Sequence, residues 1–404
     1  AIVVLPAGMS RSAWIAVVVS CAWVYALYRL DRKQAATRLR QHKRWYIIGG
    51  ILGGILLLGG SASLYTLKKD SADGRFLMWK ITTKAIQKQP ITGTSLGGFP
   101  AAYAETQAEY MASGKATEQE KLVAGCPEYA FNEYLQIGLE QGLVGLALFI
   151  GWLGLLFYKG IKNKRYACCG GLMSLAIFAF SSYPLQLSEF WVVLIFLGVM
   201  SVTPDKDEIR ENQAESNGHR WGKQIFFMGI AILGIGLFWM QKDHYKAYQQ
   251  WNKAQMFYNN KAYEAALEVY EPLYPLLKHK PEFLFEAAQS LSKTGQYEKA
   301  NEYLERAVLL SSDPMLYYVM AKNEQCLGEY RQAEKHLLHA IDILPERIYP
   351  YYLLMNLYTE PSYFQPAKLK MAIDSVLTKK PKVESSAIKE MKEKARSMLN
   401  NTSI

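Results

Sequence analysis

The sequence predicts an all-α protein, a polytopic transmembrane helix bundle followed by a C-terminal α-solenoid. Three observations lead there: residues 1–240 alternate long apolar runs with short charged loops, residues 241–404 are charged, Tyr-rich and free of any membrane-length apolar run, and that second half repeats itself. The hydrophobic content of 50% and mean hydropathy of −0.06 are averages over two unlike halves.

Candidate spans lie at residues 13–28, 46–65, 143–158, 168–183, 190–202 and 224–240. A bilayer asks for about 20 apolar residues, so the shorter runs are expected to extend by a turn at each end. Residues 1–9 join the helix of residues 13–28, with Ser10 and Arg11 at one membrane face. The chain opens at Ala1 inside AIVVLPAGM, with no Met start and no basic leader, which reads as a fragment of a longer membrane protein lacking its N-terminal helices rather than as a signal peptide.

Lys and Arg placement orients the spans. Residues 29–44 hold Arg29, Arg32, Lys33, Arg38, Arg40, Lys43 and Arg44 against the single acid Asp31, and the short loop KGIKNKR from Lys159 is purely basic. Short loops of this kind stay cytoplasmic. Residues 67–142, the link YPLQLSE and everything after Met240 then fall on the far side, the periplasm of a bacterium. The expected location is a bacterial inner membrane, crossed several times, with a periplasmic repeat domain. The net charge of +10 concentrates in membrane-flanking loops with no nucleic-acid motif beside it, so nucleic acid is not an expected partner. Cys21, Cys126, Cys168, Cys169 and Cys326 form no metal-ligand or redox spacing, and no metal site is expected.

In the second half, Ala288, Gly295, Tyr297, Ala300, Leu304 and Ala307 recur as Ala321, Gly328, Tyr330, Ala333, Leu337 and Ala340. An earlier copy offers Ala254, Tyr263, Ala266 and Tyr270, so the repeat tyrosines lie 34 (263 to 297) and then 33 (297 to 330) residues apart. This pattern resembles the tetratricopeptide repeat: small residues let paired helices approach, Gly suits the turn between them, and Pro345 ends the unit. A weaker fourth copy runs through residues 352–381, and the Lys-rich helix after Ser385 caps the stack. Such an array is either a folded scaffold whose Tyr and Leu residues are core, or a groove for a peptide or partner protein.

The polar insert 67–142, with its loop domain held between apolar spans, is where chemistry is expected. It carries RFLMWK, PITGTSLGGF and NEYLQIGLEQGLVG, with SRSAW ahead of them. In that order these elements resemble the O-antigen ligase family of bacterial membrane glycosyltransferases. The resemblance implies transfer of a glycan from an undecaprenyl-diphosphate carrier to an acceptor, commonly lipid A-core, without metal, cofactor or nucleotide sugar. A protein acceptor (O-oligosaccharyltransferase) and an O-antigen polymerase fit the same architecture, and so does a non-catalytic membrane scaffold.

Such a site must hold a dianionic leaving group at the membrane surface, a task for Arg, whose planar fork meets phosphate oxygens and keeps its charge. Arg11, between apolar runs, and Arg75, the family's second arginine, are the expected pyrophosphate ligands. Met78, Trp79 and Ile86 form an apolar stripe suited to the membrane surface. The site must also withdraw a proton from the attacking hydroxyl. Where many family members have His, this chain has Phe131, and residues 67–142 contain no His. The nearest candidates are Glu128 and Glu133, with Asn132 positioning the acceptor; Glu133, Gln136 and Glu140 share a helical face. Those acids alternatively cap or solvate a helix entering the bilayer. Pro90, Gly93, Gly97 and Gly98 shape a tight loop that is not a nucleotide P-loop, and residues 101–126 read as a mobile segment able to close over a lipid-linked sugar.

Overall fold

The computed structural model describes residues 11–31, 69–204, 220–381 and 383–401, and these are helical with no strand. The expected span at 46–65, residues 1–9 and most of the basic loop after Asp31 lie outside the described residues. The chain forms two compact units, residues 1–96 with 129–224 and residues 97–128 with 225–404.

In chain order, α1 (Arg11–Asp31) and α2 (Lys69–Lys88) belong to the first unit, and α3 (Phe99–Ala112) and α4 (Glu118–Val123) to the second. Helices α5 (Glu133–Glu140), α6 (Gly142–Lys162), α7 (Tyr166–Phe180) and α8 (Ser188–Val202) complete the first, and α9 (Arg220–Met240) leads into the second. The repeats follow as α10 (Lys242–Asn259), α11 (Tyr263–Leu277), α12 (Pro281–Lys293), α13 (Tyr297–Val308), α14 (Met315–Leu327), α15 (Tyr330–Ile343), α16 (Ile348–Leu357), α17 (Pro366–Thr378) and α18 (Ser386–Asn401).

Among the described residues, two helical stretches are long and apolar enough to cross a membrane, Ser12–Arg29 and Gly142–Lys162, and α7 and α8 are shorter apolar helices. Small residues set their approach: a side chain on Gly170 would collide with Val24 of α1, one on Gly160 with Cys169, and one on Gly171 with Leu197 of α8. Close backbone approach through such residues is how apolar helices associate when no hydrophobic drive separates them from lipid. Leu153, Leu156, Leu172 and Leu194 fill the interior between α6, α7 and α8. The outward faces stay apolar, with Leu148 70% and Val192 69% exposed. A continuous apolar exterior of this kind marks a surface made for lipid or a partner.

In the second unit the sequence repeat becomes stacked helix pairs. Ala254, Ala266, Ala288, Ala300, Leu304, Ala307, Ala333 and Ala340 are all buried where paired helices meet. The weak fourth copy forms the pair α16–α17, and α18 closes the stack with Ala395 buried in the core of Leu369, Ile373 and Val376. Residues 101–126, expected to be a mobile segment, instead form α3 and α4 within this unit. The polar alternation hides an apolar face, Phe99, Tyr103, Tyr110 and Met111, all buried.

Two carboxylates are built into the repeat interior. Glu286 accepts from Trp251 Nε1 (2.7 Å), Gln255 Nε2 (2.9 Å) and Tyr270 Oη (3.0 Å). Glu334 accepts from Tyr358 Oη (2.6 Å), Tyr363 Oη (2.7 Å) and Lys368 Nζ (2.7 Å). Burial pushes the Glu334 carboxyl up, but the hydrogen bonds from Lys368, Tyr358 and Tyr363 outweigh it and hold the group below its ordinary value of 4.5. A depressed carboxyl stabilises the fold above its unfolded value, and that contribution disappears as pH falls through the folded one. The thermal midpoint of the wild-type protein should therefore fall more steeply below about pH 4.5 than that of Glu334→Gln, as differential scanning across pH would measure.

Candidate functional site

Helix α2 buries Leu77, Ile81 and Ala85 and packs on α5, which directs Arg75 and Trp79, one turn apart, toward the end of α7. Arg75 Nη1 donates to the carbonyl of Ser181 at 2.9 Å, and its guanidinium lies over the ring of Phe131, 5.1 Å from the centroid. A cation on an aromatic face contributes about 0.5–2 kcal/mol, depending on how dry the contact is.

Phe131 adopts φ +49°, a left-handed conformation that non-glycine residues rarely take. Such strain is on the order of 1–3 kcal/mol and persists only where neighbours over-determine it. Here Ala130, the preceding residue, is held at both ends: its N–H donates to Gln136 Oε1 (3.0 Å) and its carbonyl accepts from Trp79 Nε1 (3.2 Å). The Phe131 ring meets Tyr183 edge-on at 4.9 Å, and Tyr183 stacks on Tyr129 at 5.3 Å.

The helical face expected from sequence points inward. Asn132 caps α5, its Oδ1 accepting from the Leu135 N–H at 3.1 Å. Glu133 is 1% exposed, with Oε1 accepting from the Leu185 N–H (2.6 Å) and Oε2 from Gln186 Nε2 (3.1 Å). Gln136 Nε2 donates to Glu140 Oε1 at 3.2 Å. Burial raises the Glu133 carboxyl above its ordinary range; the Gln186 and Leu185 donors partly offset this, and the nearby Glu140 charge adds to the rise. Glu133 thus anchors the link after α7, the segment that also presents the Ser181 carbonyl and Tyr183.

Beside this face, the loop after α2 is sewn to the joint between α5 and α6. The Thr94 N–H donates to the Leu139 carbonyl and the Ser95 N–H to the Glu140 carbonyl, both at 2.9 Å, while the Leu143 N–H donates to the Pro90 carbonyl at 2.8 Å. Two glycines permit this approach. Gly93 (φ +69°) faces the backbone of Glu140 and Gly142, and Gly142 (φ +69°) faces the Ile91 carbonyl, so a Cβ on either would drive into main chain.

An apolar cleft of about 550 Å³ opens next to Arg75, lined by Ser12, Ile15, Trp79, Tyr134, Ile177, Phe180 and the Ser181 that takes the arginine's hydrogen bond. Arg75, Asn132, Glu133 and Gly93 therefore share the first unit. Arg11 opens α1, one residue before the cleft-lining Ser12, and its side chain lies outside the described residues. Glu128, Gly97 and Gly98 belong to the second unit, where Glu128 lines a cleft with Cys126 and Arg347, and Gly98 precedes the first turn of α3. Of the expected membrane-surface stripe, Met78, Trp79 and Ile86 are half-buried, with Ile86 against Gly138, while Phe76 is 60% exposed.

Against known proteins, the decisive similarity covers the N-terminal 150 residues. Residues 1–150 match the O-antigen ligase family. That stretch holds Arg75, Phe131, Glu133 and the Gly93–Gly142 lock. Residues 259–340 match the family described as anaphase-promoting complex, cyclosome, subunit 3, a similarity confined to the repeats. No curated protein matches the chain. Among solved structures, the MamA protein is 17% identical over 38% of this chain and 88% of its own (TM-score 0.32). The Yersinia enterocolitica type III secretion chaperone SycD, in complex with a peptide of the translocator YopD, is 19% identical over 31% and 90% (TM-score 0.26). A Podosopora anserina putative kinesin light chain with TPR-like repeats is 17% identical over 39% and 88% (TM-score 0.31). At such scores the repeat assignment rests on the chain's own buried Ala and Leu pattern. The chain joins an O-antigen-ligase-like N-terminal part to tetratricopeptide-like repeats.

Sequence reasoning missed Gly142, the Ser181 carbonyl and Tyr183. The Gly in LEQGLVG and the Pro in SSYPLQ were the available signals, but neither names the backbone it meets. Gly142→Ala should destabilise the protein well beyond Gly97→Ala, which has φ +75° but open space around it and should cost only about 1–2 kcal/mol. Thermal unfolding of the two purified variants checks the order.

Proposed function

We propose that the protein transfers a glycan from an undecaprenyl-diphosphate carrier to an acceptor such as lipid A-core, on the periplasmic face of a bacterial inner membrane that its apolar helices cross several times. The observation that carries this reading is the pairing of a fixed guanidinium with an apolar cleft: Arg75 is held at Ser181, and Ser181, Trp79 and Phe180 line the cleft. A polyprenyl diphosphate has that same polarity, a dianionic head on an apolar chain. The match to the O-antigen ligase family over residues 1–150, which include Arg75 and Trp79, supports the assignment.

In this reading the isoprene units nearest the head enter the cleft and Arg75 receives the diphosphate, with Arg11, next to Ser12 in the chain, as the second guanidinium. The acceptor hydroxyl oxygen bonds to the anomeric carbon, the bond from that carbon to the diphosphate oxygen breaks with its electron pair leaving on the diphosphate, and the hydroxyl proton passes to solvent water or to a departing phosphate oxygen. Fixed cations there act where negative charge grows in the transition state. Glu133 and Asn132 have their oxygens committed to Leu185, Gln186 and Leu135, so we assign them to positioning: Glu133 holds the link that presents Ser181, and Asn132 holds the start of α5. Those commitments, with Phe131 in place of a His, also favour a second reading, a membrane scaffold without transfer activity.

The test is glycan analysis of a strain lacking the gene, complemented with wild type, Arg75→Ala or Arg75→Lys. Transfer should fall by about 10²-fold or more with Arg75→Ala at unchanged membrane abundance, and Arg75→Lys should recover only part, because an ammonium cannot offer the planar fork. Wild-type transfer by Arg75→Ala overturns the diphosphate role. Loss of polymer from lipid A-core identifies a ligase, shortened chains a polymerase, and unglycosylated proteins an oligosaccharyltransferase. Unchanged glycans in the deletion strain favour the scaffold.

A further inference from the structure

The chain leaves the first unit after Leu96, spends residues 97–128 in the second, and returns at Tyr129. Both ends of this excursion are sensitive places. The outgoing end follows the loop locked by Gly93 and Gly142, and the returning end leads through Tyr129 and Ala130 to Phe131, on which Arg75 rests.

Inside the second unit the excursion is docked on the repeats rather than laid over them. Helix α3 packs along α15, and its Phe99 and Gln107 are 0% exposed. The Gln107 amide is a buried crossing point: Nε2 donates to the Ile343 carbonyl (2.8 Å) and to the Gly125 carbonyl (3.1 Å), while Oε1 accepts from Tyr103 Oη (2.7 Å). Ile343 is the last residue of α15, whose terminal carbonyls have no partner within their own helix. One side chain thus ties the repeat array to both limbs of the excursion. A second tie holds the returning limb, where Ser312 Oγ donates to the Pro127 carbonyl at 3.1 Å. His339 Nε2 faces Glu105 Oε2 at 3.5 Å on the outer side of the same contact.

We propose that the repeat array serves as the receptor for the chain's own segment 97–128, and that this docking holds the flanking segments 90–96 and 129–133 in the conformation that fixes Arg75. The occupant is specified by what the surface offers: the end of a repeat helix with an unspent carbonyl, and an apolar wall for the face of Phe99, Tyr103 and Met111. The inference stands independently of whether the protein transfers glycans.

Hydrogen exchange read by mass spectrometry on the full chain in lipid nanodiscs tests it. Gln107→Ala leaves the Ile343 and Gly125 carbonyls and the Tyr103 hydroxyl without this partner in a dry site. Amides of residues 99–128 should then exchange at least about tenfold faster, those of residues 129–140 should follow, and those of α12 and α13 should keep their wild-type rates. Ser312→Ala, a milder change at the returning limb, should produce the same pattern with smaller amplitude and guards against a Gln107 variant that fails to fold. Unchanged exchange over 99–128 overturns the docking. Faster exchange over 99–128 with residues 129–140 unmoved overturns the coupling, and a uniform increase across all repeats reduces Gln107 to a general core residue and overturns the receptor role. A glycan assay that shows no transfer by wild type counts against the proposed function and leaves these exchange outcomes readable.

Discussion

The first unit depends on one constraint: a guanidinium at the edge of an apolar cleft has to be held still. Arginine carries many rotamers, and an unanchored one would lie back into water. Here a carbonyl at the end of α7 takes one N–H of Arg75 while the ring of Phe131 covers the cation's face. Neither partner is in place by local preference. Phe131 sits in a strained backbone held by Ala130's two hydrogen bonds, and the link behind Ser181 is pinned by a carboxylate with 1% exposure. The Glu133 carboxylate, a sequence candidate for proton transfer, accepts hydrogen bonds from the Leu185 N–H and Gln186 Nε2.

Much of the fold was legible in the sequence because its signals are periodic. Alanines and glycines spaced at about one repeat length announced the helix pairs; the alanines line their buried contacts, as Ala288 and Ala321 do, and Gly295 and Gly328 make the turns between helices at positive φ. Apolar runs announced α6, α7 and α8, although only the first reaches spanning length among them. The segment 101–126 was misread for a physical reason: Gln107 and Thr106 look solvated in a polar string, yet both are buried, and Gln107 trades water for two carbonyls and a phenol. Which polar residue finds a distant acceptor is a tertiary fact with no local period.

The site was legible in part. Arg75 stood out as the arginine that the RFLMWK element shares with the resembled family, and the inward face Glu133–Gln136–Glu140 followed from helical spacing. The carbonyl of Ser181 was invisible, because any residue supplies one and only packing selects it. Glu128 and Glu133 are the carboxylates nearest Phe131 in the chain; Glu133 belongs to the first unit and Glu128 to the second. Division of a short polar insert between two units also gives the repeats a concrete partner in cis. A repeat array needs no foreign ligand to account for its buried polar contacts at Ile343 and Ser312.

The most direct measurement is an electron cryo-microscopy structure of the full chain in nanodiscs loaded with a polyprenyl diphosphate. Phosphate oxygens should lie within hydrogen-bonding distance of the Arg75 guanidinium, with the first isoprene units between Trp79, Tyr134 and Phe180. A diphosphate bound elsewhere, with Arg75 still on Ser181 and the cleft empty, contradicts the role of Arg75 as the diphosphate ligand.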